Sequence, residues 1–385
     1  MIGCTNLILR TATVDPPRPA NTSRHLHYAG EYGPVIVWNV TKKCNLSCSH
    51  CYIDASDMAA SDELSTDELS TDEAQKLIDD AATLSPPVML FSGGEPLARG
   101  DTVELCAYAV SRGLRVGLST NGTLITKDYA RKIAEAGVSY VGVSIDGAEA
   151  THDRFRNKRG AFRAALVGMQ NARDVGIKTG IRFTVNRYNV SDLPAVTNLL
   201  IRYQIPRFCL YHLVYAGRAN AEMDITNERR VEMMDYLIQR TKELANHGIE
   251  VLTTDNHADG IYILNSIENS DKSDLMSLLT SHGGCSAGQK IVNIDPYGNV
   301  RPCQFWEGEA VGNVRHNSLS NIWNGQNELL LMLRDKKSYL SGRCSTCRYV
   351  EVCGGCRVRA LTQGDLWGAD PSCYLSDATI RGDST

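Results

Sequence analysis

The sequence predicts an α/β fold in which a partial, TIM-like (βα)6 barrel is followed by a cysteine-rich C-terminal extension. Between residues 35 and 214, six β-branched or aromatic runs alternate with segments of helical periodicity. This alternation is typical of a parallel sheet with helices outside it, and six units are too few to close an eight-stranded barrel. After residue 283 the chain is rich in cysteine, glycine and loops, which indicates a separate domain.

The predicted strands are short runs bounded by turn residues, at 35–40, 88–92, 115–120, 140–145, 179–185 and 208–214. Apolar residues at helical spacing predict helices near 74–84, 101–113, 126–136, 160–175 and 191–204. Ser70 and Glu73 form a capping-box pattern ahead of the first helix. A further helix is predicted over 226–247, and a less regular linker over 250–282.

Four domains follow from this organisation: an N-terminal irregular segment 1–33, the partial barrel 34–225, a helical linker 226–282 and the cysteine-rich domain 283–385. Prolines between residues 16 and 19 are expected to block regular structure in the first segment. Its residues 23–28 either line a substrate mouth or form a solvated entry loop. An acidic pentapeptide at 62–66 is repeated at 67–71, and we expect a solvated surface insertion there.

The composition is that of an ordinary globular protein, with 43% hydrophobic and 22% charged residues. A formal net charge of −4 argues against a nucleic-acid partner. The sequence shows no apolar run of membrane-spanning length and no secretory signal pattern, so we expect a cytoplasmic protein without a membrane partner. In a reducing compartment, clustered cysteines are metal ligands or catalytic groups more often than disulfides. Isolated Cys106 and Cys209 are predicted to be small buried residues.

Three of the 13 cysteines lie on one short loop directly after the first predicted strand. Cys44, Cys48 and Cys51 have the spacing C-x3-C-x2-C and can hold three irons of a [4Fe-4S] cluster. Because such clusters normally take four thiolates, the fourth iron is left with an open position, which is typical of a catalytic metal site. A zinc site or unrelated cysteines are the alternatives, although zinc motifs usually have two C-x2-C pairs.

A second motif, with Gly93, Gly94 and Glu95 followed by proline, comes directly after the second predicted strand. Ligands of parallel sheets bind outside the carboxyl ends of the strands. The two glycines allow the backbone to approach a ligand closely, and Glu95 offers a carboxylate to an ammonium group. Taken alone, the motif could also be a tight turn.

Polar residues also end the third and fourth predicted strands. Ser119 and Asn121 lie at the end of one strand, and Ser144 and Asp146 at the end of the other, so their side chains are expected at the same mouth of the barrel. The alternative interpretation is that the Asn-Gly and Asp-Gly pairs here only make turns.

Two arginines close to strand ends are candidate anion contacts. Arg156 follows the fourth strand, and Arg218 lies just past the sixth. On the sixth strand itself, Tyr211 and His212 are weaker candidates for a proton donor or a substrate contact, because a lone strand histidine is usually a satisfied core residue.

The C-terminal domain contains a second group of seven cysteines: Cys285, Cys303, Cys344, Cys347, Cys353, Cys356 and Cys373. Two [4Fe-4S] clusters need eight thiolates, so these seven cannot saturate two clusters. Two C-x2-C pairs also suit zinc, so a zinc ribbon over 344–356 is the alternative.

The cysteine loop followed by the Gly-Gly-Glu-Pro motif resembles the radical S-adenosylmethionine (SAM) enzymes. The resemblance implies that the open iron binds the amino and carboxylate groups of SAM, and that an electron donor such as flavodoxin or ferredoxin reduces the cluster. Cleavage of SAM then yields a 5′-deoxyadenosyl radical, which abstracts hydrogen from a substrate carbon. The resemblance also implies which residues contact SAM. Its amino group would be contacted by Gly93, Gly94 and Glu95. Its ribose or carboxylate would be contacted by Ser119, Asn121, Ser144, Asp146, Arg156 and Arg218.

The C-terminal cysteines resemble the SPASM extension of radical SAM enzymes, which binds one or two auxiliary [4Fe-4S] clusters. By that resemblance, one cluster would be held by Cys344, Cys347, Cys353 and Cys373. The other would have only Cys285, Cys303 and Cys356, and thus an open iron, a non-cysteine ligand, or no cluster at all. The spacing before Cys356 is two residues where the family usually has three, which puts this second site in doubt.

The whole chain, including residues 37–44 and 211–218, resembles radical SAM enzymes that trim side chains of sirohaem-derived tetrapyrroles. One branch removes acetate side chains from 12,18-didecarboxysirohaem to give Fe-coproporphyrin III, and this is our first expectation. A sister branch, in haem d1 synthesis, removes propionates. A carboxylate-bearing substrate would need arginines near the mouth, such as Arg24, Arg156 or Arg218. The rivals are a peptide maturase, disfavoured by the short segment before Cys44, and a non-enzymatic iron–sulfur carrier, disfavoured by the strand-end polar motifs.

Overall fold

The computed structural model describes residues 1–9, 33–57, 67–267 and 272–382. Its strands are β1 Ile2–Gly3, β2 Val35–Asn39, β3 Lys43–Cys44, β4 Ser56–Asp57, β5 Met89–Ser92, β6 Val116–Thr120, β7 Tyr140–Ser144, β8 Lys178–Val185, β9 Arg207–His212, β10 Glu250–Thr254, β11 Ile291–Ile294, β12 Asn299–Arg301 and β13 Gly312–Asn313. Its α-helices are α1 Cys4–Leu9, α2 Thr71–Thr83, α3 Thr102–Ser111, α4 Lys127–Glu135, α5 Glu149–Phe155, α6 Ala161–Asp174, α7 Leu193–Arg202, α8 Asn227–Asn246, α9 Ala258–Ser266, α10 Lys272–His282, α11 Leu319–Asn324, α12 Glu328–Arg334, α13 Gly342–Ser345, α14 Arg357–Leu361 and α15 Asp377–Arg381.

The six predicted strands form one parallel sheet in the order β9-β8-β7-β6-β5-β2. A helix follows each strand before the next begins, as expected for right-handed βα units. The sheet is open, because its two edges are different strands that do not pair with each other. The predicted α/β fold with a partial barrel is therefore confirmed.

Two further parallel strands extend this sheet, and both were missed from the sequence. β10 pairs with β9, with Glu250 opposite Arg207, and β11 pairs with β2, with Ile291 opposite Val35. The expected less regular linker over 250–282 is wrong, because this stretch contains β10, α9 and α10. β10 lies after the boundary proposed at residue 225 and β11 after the one at residue 282, and both strands belong to the barrel sheet. The proposed domain limits themselves stay predictions.

The N-terminus begins with regular structure. β1 pairs antiparallel with β10, with Ile2 opposite Thr253, and α1 follows directly. The expectation of an irregular segment is therefore wrong for residues 1–9. The remainder of that segment, with its prolines, Arg24 and residues 23–28, lies outside the described residues, as does the first copy of the repeat at 62–66.

Helix α2 has the predicted capping box. The Ser70 hydroxyl accepts from the Glu73 backbone N–H, and the Glu73 carboxylate accepts from the Ser70 backbone N–H. The helix begins at Thr71, earlier than predicted. The second copy of the repeat is not simply solvated, because Glu68 and Leu69 are buried.

Alternate strand residues divide the sheet into two faces. On β8, Ile181, Phe183 and Val185 are fully buried in the main apolar core under the helices. The intervening Arg182 and Thr184 are half-buried on the opposite, concave face. This face and the carboxyl ends of its strands carry the candidate site. No helix among the described residues is long and apolar enough to span a membrane.

Candidate active site

The three cysteines lie on a loop that leaves β2 and is closed by the short pair of strands β3 and β4. Cys44 and Cys48 are buried, and Cys51 is half-buried. They pack in one apolar cluster with Leu46 and Ala161. Burial raises the pKa of Cys44 to about 12 and also raises that of Cys48. Two buried thiols that need a positive partner to ionise, with a third cysteine on the same loop, fit the binding of an iron–sulfur cluster.

A buried arginine lies directly beside this loop. Nη1 of Arg156 donates to Sγ of Cys48 at 3.4 Å, and Nη2 pairs with Oδ2 of Asp146 at 2.6 Å. Although burial opposes its ionisation, Arg156 and His50 hold the pKa of Asp146 below its usual value. Asp146 therefore keeps Arg156 in place as a cation, and Arg156 favours the thiolate form of Cys48.

The Gly-Gly-Glu motif packs against the strand that leads into the cysteine loop. The N–H of Gly94 donates to the carbonyl of Thr41, and the N–H of Glu95 donates to that of Lys43, each at 2.8 Å. A Cβ on Gly94 would lie 2.2 Å from the Lys43 carbonyl oxygen, so only glycine allows this approach.

The carboxylate of Glu95 is fully buried. It accepts from the Thr120 hydroxyl at 2.7 Å, from the backbone N–H of Asn121 at 2.8 Å and from that of Leu97 at 3.2 Å. Glu95 thus joins the ends of β5 and β6, and both of its oxygens are used. Within the described ranges no N–H group of the backbone donates to the carbonyls of Gly93 and Gly94, so these carbonyls remain for a ligand.

The strand-end polar residues divide into two groups. The amide of Asn121 donates to Oδ1 of Asn45 at 2.8 Å and lies 4.0 Å from Sγ of Cys44, so it orients the loop. Ser119 and Ser144 are half-buried on the concave face. Their hydroxyls are placed for a ligand held between the strand ends.

Arg218 is the second arginine that holds the loop. Its Nε donates to the Cys48 carbonyl at 2.8 Å, its backbone N–H donates to the Cys51 carbonyl at 2.8 Å, and Nη1 pairs with Asp54 at 2.7 Å. The preceding Gly217, at φ +61°, would place a Cβ 2.2 Å from the Cys51 carbonyl oxygen. The chain after β9 therefore fixes the far end of the cysteine loop.

A small pocket lies in the C-terminal region. Its lining includes Cys344, Cys347, Cys353 and Cys373, together with other residues of the 343–380 stretch. These are the four cysteines that the resemblance assigns to one auxiliary cluster. Four thiols around one cavity fit a four-thiolate cluster.

The remaining C-terminal cysteines lie in a different apolar cluster. Cys285 and Cys303 are buried there with Trp306 and Val214, and Cys356 packs against them. Burial raises the pKa of Cys356 to about 12. The structure thus groups the seven cysteines as four and three, and the ligand sets stay a prediction.

Comparison with known proteins identifies the superfamily. Residues 38–200 match the radical SAM superfamily, and residues 285–348 match SPASM, an iron–sulfur cluster-binding domain. The chain is 44% identical to Fe-coproporphyrin III synthase of Methanosarcina barkeri, over 93% of this chain and 92% of the relative. The chain belongs to the radical SAM superfamily. It is an enzyme whose cofactors are SAM, a [4Fe-4S] cluster that binds SAM, and one or two auxiliary [4Fe-4S] clusters.

Two other similarities agree with this membership. Pre-heme d1 synthase of Dinoroseobacter shibae is 38% identical, over 94% of this chain and 90% of the relative. The crystal structure of Streptococcus suis SuiB bound to S-adenosylmethionine is similar in fold, with a TM-score of 0.71 at 17% identity, over 89% of this radical SAM chain and 78% of SuiB. The match to an iron–sulfur domain favours clusters over the zinc ribbon.

Several residues around the site were missed from the sequence. Glu68 accepts from the backbone N–H of Lys42 at 2.7 Å, and Arg182 lies over the ring of Tyr211, with Cζ 4.7 Å from its centroid. Neither residue belongs to the cysteine loop or to the Gly-Gly-Glu-Pro motif. The one signal for Arg182 in the sequence is that a charged residue interrupts an otherwise uncharged predicted strand. His212 pairs with Asp259 at 2.8 Å, and both are fully buried, which agrees with a core role.

Proposed function

We propose that this radical SAM enzyme removes acetate side chains from 12,18-didecarboxysirohaem to give Fe-coproporphyrin III. The observation that carries the proposal is the 44% identity to an Fe-coproporphyrin III synthase over 93% of the chain. Removal of propionates on the way to haem d1 is the second candidate, supported by the 38% identity to a pre-heme d1 synthase.

In this proposal the cysteine loop holds the catalytic cluster through Cys44, Cys48 and Cys51. When bound, the reduced cluster and SAM supply a 5′-deoxyadenosyl radical that takes a hydrogen atom from a substrate carbon. Arg156 balances the negative charge at Cys48 and is itself held by Asp146. Arg218 fixes the loop backbone from the other side.

SAM would lie between the cysteine loop and the carboxyl ends of β5, β6 and β7. The backbone carbonyls of Gly93 and Gly94 and the carboxylate of Glu95 would contact its ammonium group, and that carboxylate is held in place by Thr120 and Asn121. The hydroxyls of Ser119 and Ser144 are available to the ribose or carboxylate. Each of these contacts is made by a strand end or a tight turn, so the protein is arranged before SAM binds.

Cys344, Cys347, Cys353 and Cys373 would hold one auxiliary cluster, and Cys285, Cys303 and Cys356 the other. A flavodoxin or ferredoxin would supply the electron, and the cytoplasm is the expected compartment. Iron analysis of the anaerobically reconstituted protein would give about twelve irons per chain for three clusters and about eight for two. About four irons would contradict the auxiliary clusters.

The activity is tested directly by anaerobic incubation of the reduced protein with SAM and 12,18-didecarboxysirohaem, followed by mass spectrometry. The expected products are 5′-deoxyadenosine and an iron tetrapyrrole that has lost acetate side chains. Loss of propionate mass would favour the second candidate. No 5′-deoxyadenosine, or an unchanged tetrapyrrole, would overturn the substrate assignment.

A further inference from the structure

The two arginines expected to meet a substrate carboxylate are already engaged with the protein. Arg156 bridges Asp146 and Cys48, and Arg218 binds Asp54 and the loop backbone. Turning either one toward a substrate would break a charge-assisted hydrogen bond at the cysteine loop. Nη2 of Arg218 makes no hydrogen bond among the described residues, but the rest of both guanidinium groups is held by the cysteine loop, so a cation that is not tied to the loop suits a substrate carboxylate better.

Arg182 is such a cation. It lies near the middle of β8, in register with Ser144 on one side and Cys209 on the other, and it is half-buried on the concave face. Within the part of the chain that the structure describes, its guanidinium forms no hydrogen bond or ion pair, and its contact is the ring of Tyr211. The ionisable groups that act most strongly on the pKa of Arg182 are Tyr211, Tyr140, Cys209 and Tyr52, and none of these four is a carboxylate.

The sheet is built to leave room for this side chain. Gly142 and Gly180 are directly opposite each other on β7 and β8. A Cβ on Gly142 would lie 2.8 Å from Cδ of Arg182, and a Cβ on Gly180 would lie 2.3 Å from the hydroxyl of Tyr140. Since glycine weakens a strand interior, two paired glycines here indicate that the space above them is needed.

The position of Arg182 also connects it with the reaction site. Tyr52, one residue after Cys51, donates its hydroxyl hydrogen bond to Asn39 at 2.9 Å on the same concave face. Tyr52 is also among the groups that act on the pKa of Arg182, so Arg182 lies on the face that a substrate must enter, level with Ser144 at the end of β7. An aromatic ring on one side restricts a guanidinium to its plane, where its N–H groups can bind a carboxylate in a bidentate manner.

We propose that Arg182, stacked on Tyr211, binds a carboxylate of the substrate and thereby orients the tetrapyrrole inside the barrel. The inference rests on the proposed function, because it takes the substrate to be a carboxylate-bearing iron tetrapyrrole. Leaving a half-buried cation without a partner is unfavourable in the empty barrel. A substrate carboxylate removes that cost on binding, so Arg182 selects tetrapyrroles that keep an acidic side chain at this place.

The test compares the holoenzyme with the variants Arg182→Gln and Arg182→Lys. Binding of Fe-coproporphyrin III is followed by absorbance, binding of SAM by equilibrium dialysis, and turnover of 12,18-didecarboxysirohaem by product mass. We expect Arg182→Gln to weaken tetrapyrrole binding and raise KM by about tenfold or more, with SAM binding and iron content unchanged. Arg182→Lys should restore part of the loss, because it keeps the charge without the planar fork. The tetramethyl ester of Fe-coproporphyrin III should bind all variants alike.

Arg202→Gln is the matched control, since Arg202 also stacks on a tyrosine, Tyr203, but is exposed at the end of α7. Tetrapyrrole binding, SAM binding and turnover of Arg202→Gln should equal those of the wild type. Equal binding of Fe-coproporphyrin III by wild type and Arg182→Gln would overturn the inference and leave the proposed function standing. A loss confined to SAM binding would overturn it as well, by assigning Arg182 to SAM. A wild-type protein that neither binds nor converts the tetrapyrrole would overturn both proposals.

Discussion

Most polar side chains around the cysteine loop bind the loop itself. Arg156 donates to Sγ of Cys48, Arg218 to the carbonyl of the same residue, and Asn121 to Asn45. These contacts come from β6, the segment after β7 and the segment after β9, so several strand ends fix one loop. These contacts hold the loop in place before a cluster is inserted, which is what a reactive metal centre requires.

Replacing one loop cysteine should separate the catalytic cluster from the auxiliary ones. In Cys48→Ala we expect no SAM cleavage and a loss of about four irons per chain, because two thiolates hold a cluster poorly, while the C-terminal clusters remain. The measurements are iron content and 5′-deoxyadenosine formation. Cys106→Ala is the control, since Cys106 is buried in the main core. This variant should keep both the iron content and the 5′-deoxyadenosine formation of the wild type. Retained SAM cleavage in Cys48→Ala would contradict the site assignment.

Gly217 tests the close approach between the end of β9 and the cysteine loop. In Gly217→Ala the new Cβ would meet the Cys51 carbonyl oxygen at 2.2 Å, so the loop must move and the catalytic cluster should be lost or weakened. Gly248→Ala has a similar positive φ of +70° but nothing within 4 Å of its Cβ. Both variants suffer the same backbone strain, and only Gly217→Ala should lower iron content and SAM cleavage. Equal effects would show that strain, rather than the contact, matters.

At the scale of secondary structure, local pattern predicted the six central strands and missed both neighbours of that sheet. β10 is five residues long, begins with Glu250, ends in two threonines and follows a 20-residue helix, so its own periodicity is weak. β11 pairs with β2 across about 250 residues of chain. Nothing local to Ile291–Ile294 specifies that partner, because edge pairing depends on which strand is left unpaired when the barrel forms.

The candidate site shows the same difference between residues that a local pattern predicts and residues that it misses. The cysteines were predictable because their ligand role fixes their spacing along the chain. Glu68 and Arg182 were not, because their roles depend on contacts that only the fold creates. The acidic repeat looked like a solvated insertion, yet Glu68 accepts from Lys42 and from the Thr41 hydroxyl. Arginines after strands were expected to meet ligands, and the structure shows them engaged with the loop.

The capping box of α2 provides a prediction at this scale. Ser70→Ala removes the acceptor of the Glu73 backbone N–H and should cost about 1 kcal/mol of folding free energy. Glu73→Gln keeps an acceptor for the Ser70 N–H and loses only the ion pair with Arg315, which is partly exposed and should matter less. Anaerobic thermal unfolding of the holoprotein would compare the stability of the two variants, and Ser70→Ala should be the less stable. A larger loss in Glu73→Gln would show that the ion pair, not the cap, stabilises this helix.

At the scale of the molecule, the barrel and the cysteine-rich region are joined in two ways. β11 lies past residue 282 but belongs to the barrel sheet. In addition, Arg359 of α14 reaches the carboxyl ends of two barrel strands, where it donates to the carbonyls of Leu213 and Asp255 at 3.1 and 2.7 Å. The auxiliary cysteines are therefore fixed against the mouth of the barrel instead of forming an independent module.

Arg359 is the residue on which this joint depends. It is fully buried and pairs with Asp370 at 2.8 Å, and Asp370 also accepts from the backbone N–H of Cys356 at 2.7 Å. Arg359→Met would leave Asp370 buried without its partner, at a cost of about 3–5 kcal/mol, and would loosen Cys356.

We therefore expect Arg359→Met to lower the thermal unfolding midpoint of the holoprotein by about 5 °C or more and to reduce the iron bound by Cys285, Cys303 and Cys356. The cluster of the N-terminal loop should be kept, so 5′-deoxyadenosine should still form with SAM and reductant. Arg131→Met is the control, because Arg131 is exposed and pairs with Asp128 within α4; it should change none of these quantities. A variant with unchanged stability and iron content would mean that β11 alone holds the two regions together.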